Sequence, residues 1–91
     1  MNFPFGEKDL YIDKVVFENF LIWLDLNQYK ASAKYENIRM RITRFFQYNQ
    51  SRHPEECTIV TMNRVARKIH DGIINIQATQ EQFIFGFACN V

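Results

Sequence analysis

The chain has 91 residues, which is enough for one small domain with a single modest core. Apolar residues make up 47% of it and charged residues 23%, a composition that is typical of globular domains and excludes a disordered chain. The formal net charge is only +1, so the overall charge gives no reason to expect general nucleic-acid binding. No apolar run approaches the ~20 residues of a membrane-spanning helix.

Charge is nevertheless distributed unevenly along the chain. Residues 1–26 contain two lysines and five acidic residues, a local balance of −3. Residues 34–52 contain five basic residues and one glutamate, a local balance of +4. The start of the chain is therefore acidic and its middle is basic.

The cysteines and the N-terminus bear on the cellular compartment. Cys57 and Cys89 lack the spacing of a metal-ligand motif, and one conceivable bridge is a poor reason to expect a disulfide. The first six residues have neither the basic start nor the sustained apolar stretch of a secretory leader. We therefore expect a cytoplasmic protein with both thiols reduced.

The first predicted helix covers about residues 9–24 and has Asp9 as its N-cap. Apolar residues recur there at spacings of three and four, as expected for a helix that buries one face. These residues are Leu10, Val15, Val16, Phe17, Phe20, Leu21 and Leu24. A polar break at residues 25–28 separates this helix from the next.

The second predicted helix begins at Gln28 or Ala31 and ends at Tyr48, and its apolar residues share one face. Three basic residues lie largely off that face: Arg39, Arg41 and Arg44. Two explanations remain open for them. They form either a solvated surface that binds nothing or a surface for an anionic partner.

The third predicted helix runs from about Glu55 to His70, after a break that ends at Pro54. Asp71 and Gly72 form its predicted stop. Its expected inner face consists of Ile59, Met62, Val65, Ala66 and Ile69. Its expected outer face consists of Asn63, Arg64, Arg67 and Lys68.

A fourth helix is predicted to begin near Gln80. Thr79 is followed three residues later by Gln82, which is the spacing of a capping box. The intervening residues 72–80 are expected to be an ordered loop, because no partner for an isolated strand is evident. The sequence thus predicts an all-α fold, a compact bundle of about four helices, in one domain over residues 1–91 with an ordered core from about residue 7.

Catalytic and metal-binding patterns are not found. His53, Glu55 and Glu56 are adjacent along a helix start rather than convergent, so they do not predict a metal site. Cys89 lies among bulky apolar residues and is expected to be a buried, inert thiol. Three scattered glycines cannot form a phosphate-binding loop. We expect a binding protein without a catalytic residue, cofactor or small-molecule substrate, and not an enzyme.

Two segments resemble a known family. Residues 55–69 are similar to the helix D-L-V-Q-E-T-F-L-R-A-W of extracytoplasmic-function sigma factors, with Glu56, Thr61 and Arg64 at matching positions. Residues 83–91, F-I-F-G-F-A-C-N-V, resemble the W-L-Y-R-I-A-R-N-L segment of the same family. With the preceding helices, the resemblance to region 2 of the bacterial sigma-70 family covers most of residues 15–91.

The resemblance implies a role in transcription initiation. The outer face of the third helix would bind the largest subunit of core RNA polymerase, through Glu56, Asn63, Arg64, Arg67 and Lys68. The loop and fourth helix would hold single-stranded promoter DNA, through Asn75, Gln77, Phe83, Phe85 and Asn90. The resemblance also implies that an anti-sigma factor or another protein could be a partner. It does not imply a membrane partner.

The chain departs from the sigma pattern at several places, which leaves alternatives open. Ile59 and Val60 replace a Gln-Glu pair, Cys89 replaces an arginine, and the segment ends at Val91 before the family's last helix does. If the sigma hypothesis holds, these departures are expected for a fragment of a longer sigma factor or for a shortened sigma-like protein. A second hypothesis is a helical interaction or assembly module that has lost promoter recognition, with Ile59 and Val60 in a protein contact. A third is a nucleic-acid-binding adaptor that uses the basic second helix.

Overall fold

The computed structural model describes residues 10–72 and 79–89. Four α-helices account for most of these residues, and no strand occurs in either range. The helices are α1 (Lys14–Leu24), α2 (Gln28–Tyr48), α3 (Pro54–His70) and α4 (Gln80–Ala88). The predicted all-helical bundle is confirmed, whereas the loop predicted at residues 72–80 falls mainly outside the described residues.

Helix α1 begins at Lys14, so the predicted start at residue 9 is not where the helix starts. Asp13 is its N-cap, because the Asp13 carboxylate accepts a hydrogen bond from the backbone N–H of Val15 at 2.9 Å. Asp9, the predicted cap, lies outside the described residues. The predicted end at Leu24 is confirmed.

Helices α2 and α3 have nearly the predicted limits. The Asn27 side chain accepts from the backbone N–H groups of Tyr29 and Lys30, at 3.0 and 3.1 Å, so α2 begins at the earlier of the two predicted positions. Pro54 opens α3 one residue before the predicted start, since proline fits the first helical turn. Gly72, with φ +80°, follows the end of α3 in a left-handed conformation that suits glycine.

Helix α4 begins with the predicted capping box. The backbone N–H of Gln82 donates to the Thr79 hydroxyl at 3.1 Å, and the backbone N–H of Thr79 donates to the Gln82 side chain at 3.0 Å. Both ends of this reciprocal pair are therefore satisfied, which fixes the start of a helix only nine residues long.

Helix α3 lies at the centre of the bundle and contacts each of the other three helices. Nine of its 17 residues are buried, including Thr58 and Thr61. Their hydroxyls donate to the backbone carbonyls of Pro54 and Cys57, at 2.8 and 2.7 Å, so both polar groups are satisfied inside the core.

The predicted division of α3 into two faces is wrong at two positions. Ile59, expected inside, is 43% exposed, and Asn63, expected outside, is only 7% exposed. The reason is that α3 contacts all three other helices, so more than one of its sides is covered and a single apolar stripe does not mark every buried residue. Periodicity alone describes a helix that packs against a single surface.

Aromatic side chains join the outer helices around this core. Tyr35 of α2 packs edge-on against Phe17 and Phe20 of α1, with ring centroids 5.3 and 5.8 Å apart. Trp23 of α1 lies 5.7 Å from Phe83 of α4. Such pairs each contribute about 0.5–1.5 kcal/mol beyond the area that they bury. None of the four helices in the described ranges has the length and hydropathy to cross a membrane.

Candidate protein-interaction surfaces

The five predicted polymerase contacts do not form one exposed face. Lys68 is exposed, Glu56, Arg64 and Arg67 are partly buried, and Asn63 is buried. Glu56 lies in the first turn of α3 and Lys68 in the last, with the buried Asn63 between them. Four of the five side chains are at least partly exposed, whereas Asn63, at 7% exposed, offers a partner almost no surface.

Arg67 also has a structural role. Its guanidinium Nη2 donates to the backbone carbonyl of Tyr11 at 2.6 Å. This contact fixes the segment that precedes α1 against the last turn of α3. A charged donor to a backbone oxygen is among the stronger hydrogen bonds, so Arg67 is expected to stabilise the fold.

The predicted DNA contacts are only partly described. Asn75, Gln77 and Asn90 lie outside the described residues. Phe83 is half-buried and packs against Trp23 and Phe87, with centroids 5.7 and 5.3 Å away. Phe85, also half-buried, packs edge-on against Phe45 at 6.2 Å. Both phenylalanines are therefore partly buried side chains that pack against the hydrophobic core, and their contact with DNA stays a prediction.

The basic face of α2 is exposed, as predicted, but its charge is mostly paired. Arg39 bonds Glu36 at 3.0 Å, and Arg41 bonds Glu81 of α4 at 2.6 Å. The Arg41 guanidinium also lies 5.8 Å from the Phe85 ring centroid. Arg44 has no ion pair within the described residues. Within the described residues, Arg44 is thus the one of these three arginines that has no ion-pair partner, and the two exposed pairs compete only weakly with an anionic partner.

A different surface, at the junction of α1 and α2, exposes large apolar side chains. Ile22 is 55% exposed, Leu26 90% and Tyr29 85%. These three residues are called the corner surface below. Sequence reasoning missed it because Leu26 lies in a short polar break and Ile22 beside the apolar stripe. The available signal was an apolar residue inside a turn, where polar residues are usual.

A groove of about 390 Å³ runs beside the corner surface. Leu21 and the buried Ala31 contribute apolar lining to it, together with Ile22 and Leu26. Its two charged lining residues are acidic, Glu18 and Asp25. Their side chains are 54% and 22% exposed, so both carboxylates reach solvent at the groove. The groove thus has a mixed lining, in which apolar side chains lie beside two carboxylates.

Asp25 is held in its charged form. The backbone N–H of Asn27 donates to its carboxylate at 2.9 Å, and the Lys34 ammonium lies 3.0 Å from it. These two hydrogen bonds, the backbone one first, keep the pKa of Asp25 below its ordinary value. Asp25 therefore remains a carboxylate throughout the neutral range.

The two cysteines differ in exposure. Cys57 is buried, whereas Cys89 is exposed, so the expectation of a buried Cys89 thiol is wrong. The core position at the end of α4 is taken by Ala88, which is 2% exposed, and Cys89 follows it as the C-cap. Within residues 10–72 and 79–89, no group of three His, Cys, Asp or Glu side chains is arranged to hold a metal ion.

Comparison with known proteins adds no relative. No family model matches the chain, and neither the curated proteins nor the solved structures contain a match. The resemblance to sigma region 2 therefore stays a prediction, carried by the motifs at residues 55–69 and 83–91.

Proposed function

We propose that this chain is a helical protein-interaction module that binds its partner at the corner surface and the adjoining groove. The partner is an amphipathic helix with basic residues beside its apolar stripe. The observation that carries this proposal is the exposure of Ile22 and Leu26, at 55% and 90%, in the lining of a groove that Leu21 also borders. Grouped exposed apolar side chains are a common mark of protein interaction sites.

The shape of the site favours a helical partner. The groove lies at the junction of two helices, where Leu21, Ile22 and Leu26 border the same space. An amphipathic helix places its apolar residues three and four positions apart and so fits an apolar groove of this kind. Tyr29, in the first turn of α2 and 85% exposed, would add an aromatic contact, and tyrosine is one of the residue types enriched at energetically important interface positions.

The charge of the site favours basic residues on that partner. Glu18 and Asp25 are the charged residues that line the groove, and Asp25 is already paired with Lys34 at 3.0 Å, so Glu18 is the carboxylate more open to a basic partner. The Lys14 ammonium is 3.9 Å from Glu18, and both side chains are largely exposed, so this pair competes only weakly. Complementary charge mainly governs partner choice and association rate.

The interaction module differs from the second hypothesis above in its contact residues. Val60 is fully buried and cannot touch a partner, whereas Ile59 is accessible but lies on α3. The corner surface replaces both as the proposed contact. Enzymatic activity and a cofactor are not part of the proposal.

Matched tyrosine variants test the docking site. A designed amphipathic helix of leucine and lysine serves as the probe, with a leucine and glutamate helix as the charge control. Tyr29→Ala is expected to weaken binding of the leucine and lysine helix about ten-fold, measured by calorimetry. Tyr48→Ala, which removes an equally exposed tyrosine at the other end of α2, should leave binding unchanged. Equal losses in the two variants, or stronger binding of the acidic helix, contradict the proposal.

Core RNA polymerase remains a second candidate partner, supported by the exposed Lys68 and the partly exposed Arg64 near the end of α3. Cationic side chains there could pair with acidic residues on a polymerase helix. Pull-down with purified core polymerase compares the wild type with Arg64→Glu and with Arg44→Glu, a charge-matched control on α2. Polymerase binding through α3 requires retention of the wild type and of Arg44→Glu, but not of Arg64→Glu.

A further inference from the structure

We propose that Cys57 and Cys89 form a redox-active thiol pair, which a peroxide converts into a disulfide between α3 and the end of α4. Both residues are free cysteines and line the same cavity of about 270 Å³. The cavity is also bordered by Ser51 and by the buried Ala88. The two thiols are distant in sequence, but the packing of α4 brings them to one space.

The different exposure of the thiols sets the order of events. Cys89 is exposed and is the thiol that a dissolved peroxide can reach. Cys57 is only 8% exposed and is shielded within the first turns of α3. An accessible thiol beside a protected one is the arrangement in which the first is oxidised and the second resolves the product.

The reaction balances with hydrogen peroxide as the oxidant. The Cys89 sulfur attacks one peroxide oxygen, the O–O bond breaks, and the departing hydroxide takes a proton to become water. The sulfur of Cys57 then attacks the sulfenic sulfur of Cys89, and the S–O bond breaks to release a second water. Two thiols and one peroxide yield one disulfide and two waters.

Ser51 is placed to assist the second step. Its hydroxyl oxygen lies 3.4 Å from the Cys57 sulfur, and the hydroxyl can donate a hydrogen bond to that sulfur as it loses its proton. A disulfide usually holds its two Cα atoms about 4.4–6.8 Å apart, so the proposal requires Cys57 and Cys89 to come within that separation across the cavity. The bond then ties the short α4 to the central helix.

Peptide mapping of the oxidised protein tests the proposal. Dilute reduced protein is treated with hydrogen peroxide, denatured, alkylated and digested for mass spectrometry. The expected product is a monomer that has lost two hydrogens, contains a Cys57–Cys89 linked peptide and has no alkylated cysteine. A wild type that instead gives Cys89-linked dimers, or an over-oxidised Cys89 beside an alkylated Cys57, overturns the proposal.

Two single variants separate the roles of Cys89 and Cys57. The variant at the exposed Cys89 still tests the proposal if the variant at the buried Cys57 fails to fold. Cys89→Ser changes an exposed position, and it should leave Cys57 reduced and fully alkylated after the same treatment. Cys57→Ser should stop the reaction at oxidised Cys89, which then over-oxidises or forms mixed disulfides. Rapid oxidation of Cys57 in the Cys89→Ser variant would show that Cys89 is not the entry point, and it would contradict the mechanism.

Discussion

Helix α3 and the corner surface differ in a way that the sequence pattern does not predict. Helix α3 has an apolar stripe and basic residues, the pattern of a surface helix with a free outer face, yet nine of its 17 residues are buried. Leu26 of the corner surface lies where the pattern predicts only a polar break, yet it is a large apolar residue that is 90% exposed. An amphipathic pattern shows that a helix buries one face, but it does not show how many neighbours cover the others.

The largest expected difference between the two regions is in folding stability. Met62→Ala removes a side chain that is 1% exposed in α3 and should lower the free energy of unfolding by about 2–5 kcal/mol. Leu26→Ala removes a similar apolar volume from the corner surface. It should change the free energy of unfolding by less than about 0.5 kcal/mol. Urea denaturation of both variants measures the difference. Comparable losses would mean that the corner surface is covered in the protein.

A polar substitution tests the centre of α3 more finely. The side-chain amide of Asn63 is buried and has an interaction partner. Asn63→Ala removes this amide and should lower the free energy of unfolding by about 1–3 kcal/mol. Asn37→Ala makes the same change at an exposed position of α2 and should have little effect. A neutral Asn63→Ala in urea denaturation would show that this residue faces solvent, as the sequence pattern had predicted.

The start of α1 gives a smaller effect. Asp13→Ala removes the N-cap and should lower the free energy of unfolding by about 1 kcal/mol. Asp71→Ala removes an exposed carboxylate at the C-terminal end of α3, where negative charge is unfavourable, and should not destabilise. Thermal unfolding of the two variants distinguishes them. If Asp13→Ala has the same unfolding temperature as the wild type, Asp13 is not the N-cap of α1.

The smallest expected effect is a pH dependence at the corner. The pKa of Asp25 is lower in the folded protein than its ordinary value of 3.8, so its stabilising contribution is present above that value. The contribution is lost as pH falls below 3.8 through the folded pKa. Asp25→Asn should therefore be less stable than the wild type at neutral pH, and the difference should shrink in acid. Unfolding midpoints measured across that pH range check this, and a constant difference contradicts it.

Local signals made much of the fold predictable. The break before Pro54 and the capping box at Thr79 gave the limits of α3 and the start of α4 to within a residue, and Gln28 was one of the two starts predicted for α2. The start of α1 was misjudged because Asp9 and Asp13 are equally suitable caps by residue type. The sequence pattern could not separate them.

The candidate surfaces were less predictable because they depend on contacts between distant segments. Asn63 is buried because α3 lies among three helices, and no local pattern records those neighbours. Phe85 resembled a base-stacking residue but packs against Phe45 of α2. Exposure of Leu26 follows from the way α1 and α2 meet. Burial is a property of the whole fold, whereas capping and periodicity are local.

Nuclear magnetic resonance tests the central claim, that the partner docks at the corner surface rather than on α3. The isotope-labelled protein is titrated with the designed leucine and lysine helix, and backbone amide shifts are mapped onto the structure. Docking at the corner surface is expected to give the largest shifts at Ile22, Leu26 and Tyr29, with little change at Arg64 and Lys68. Shifts centred on the last turns of α3, with the corner surface unaffected, would contradict it.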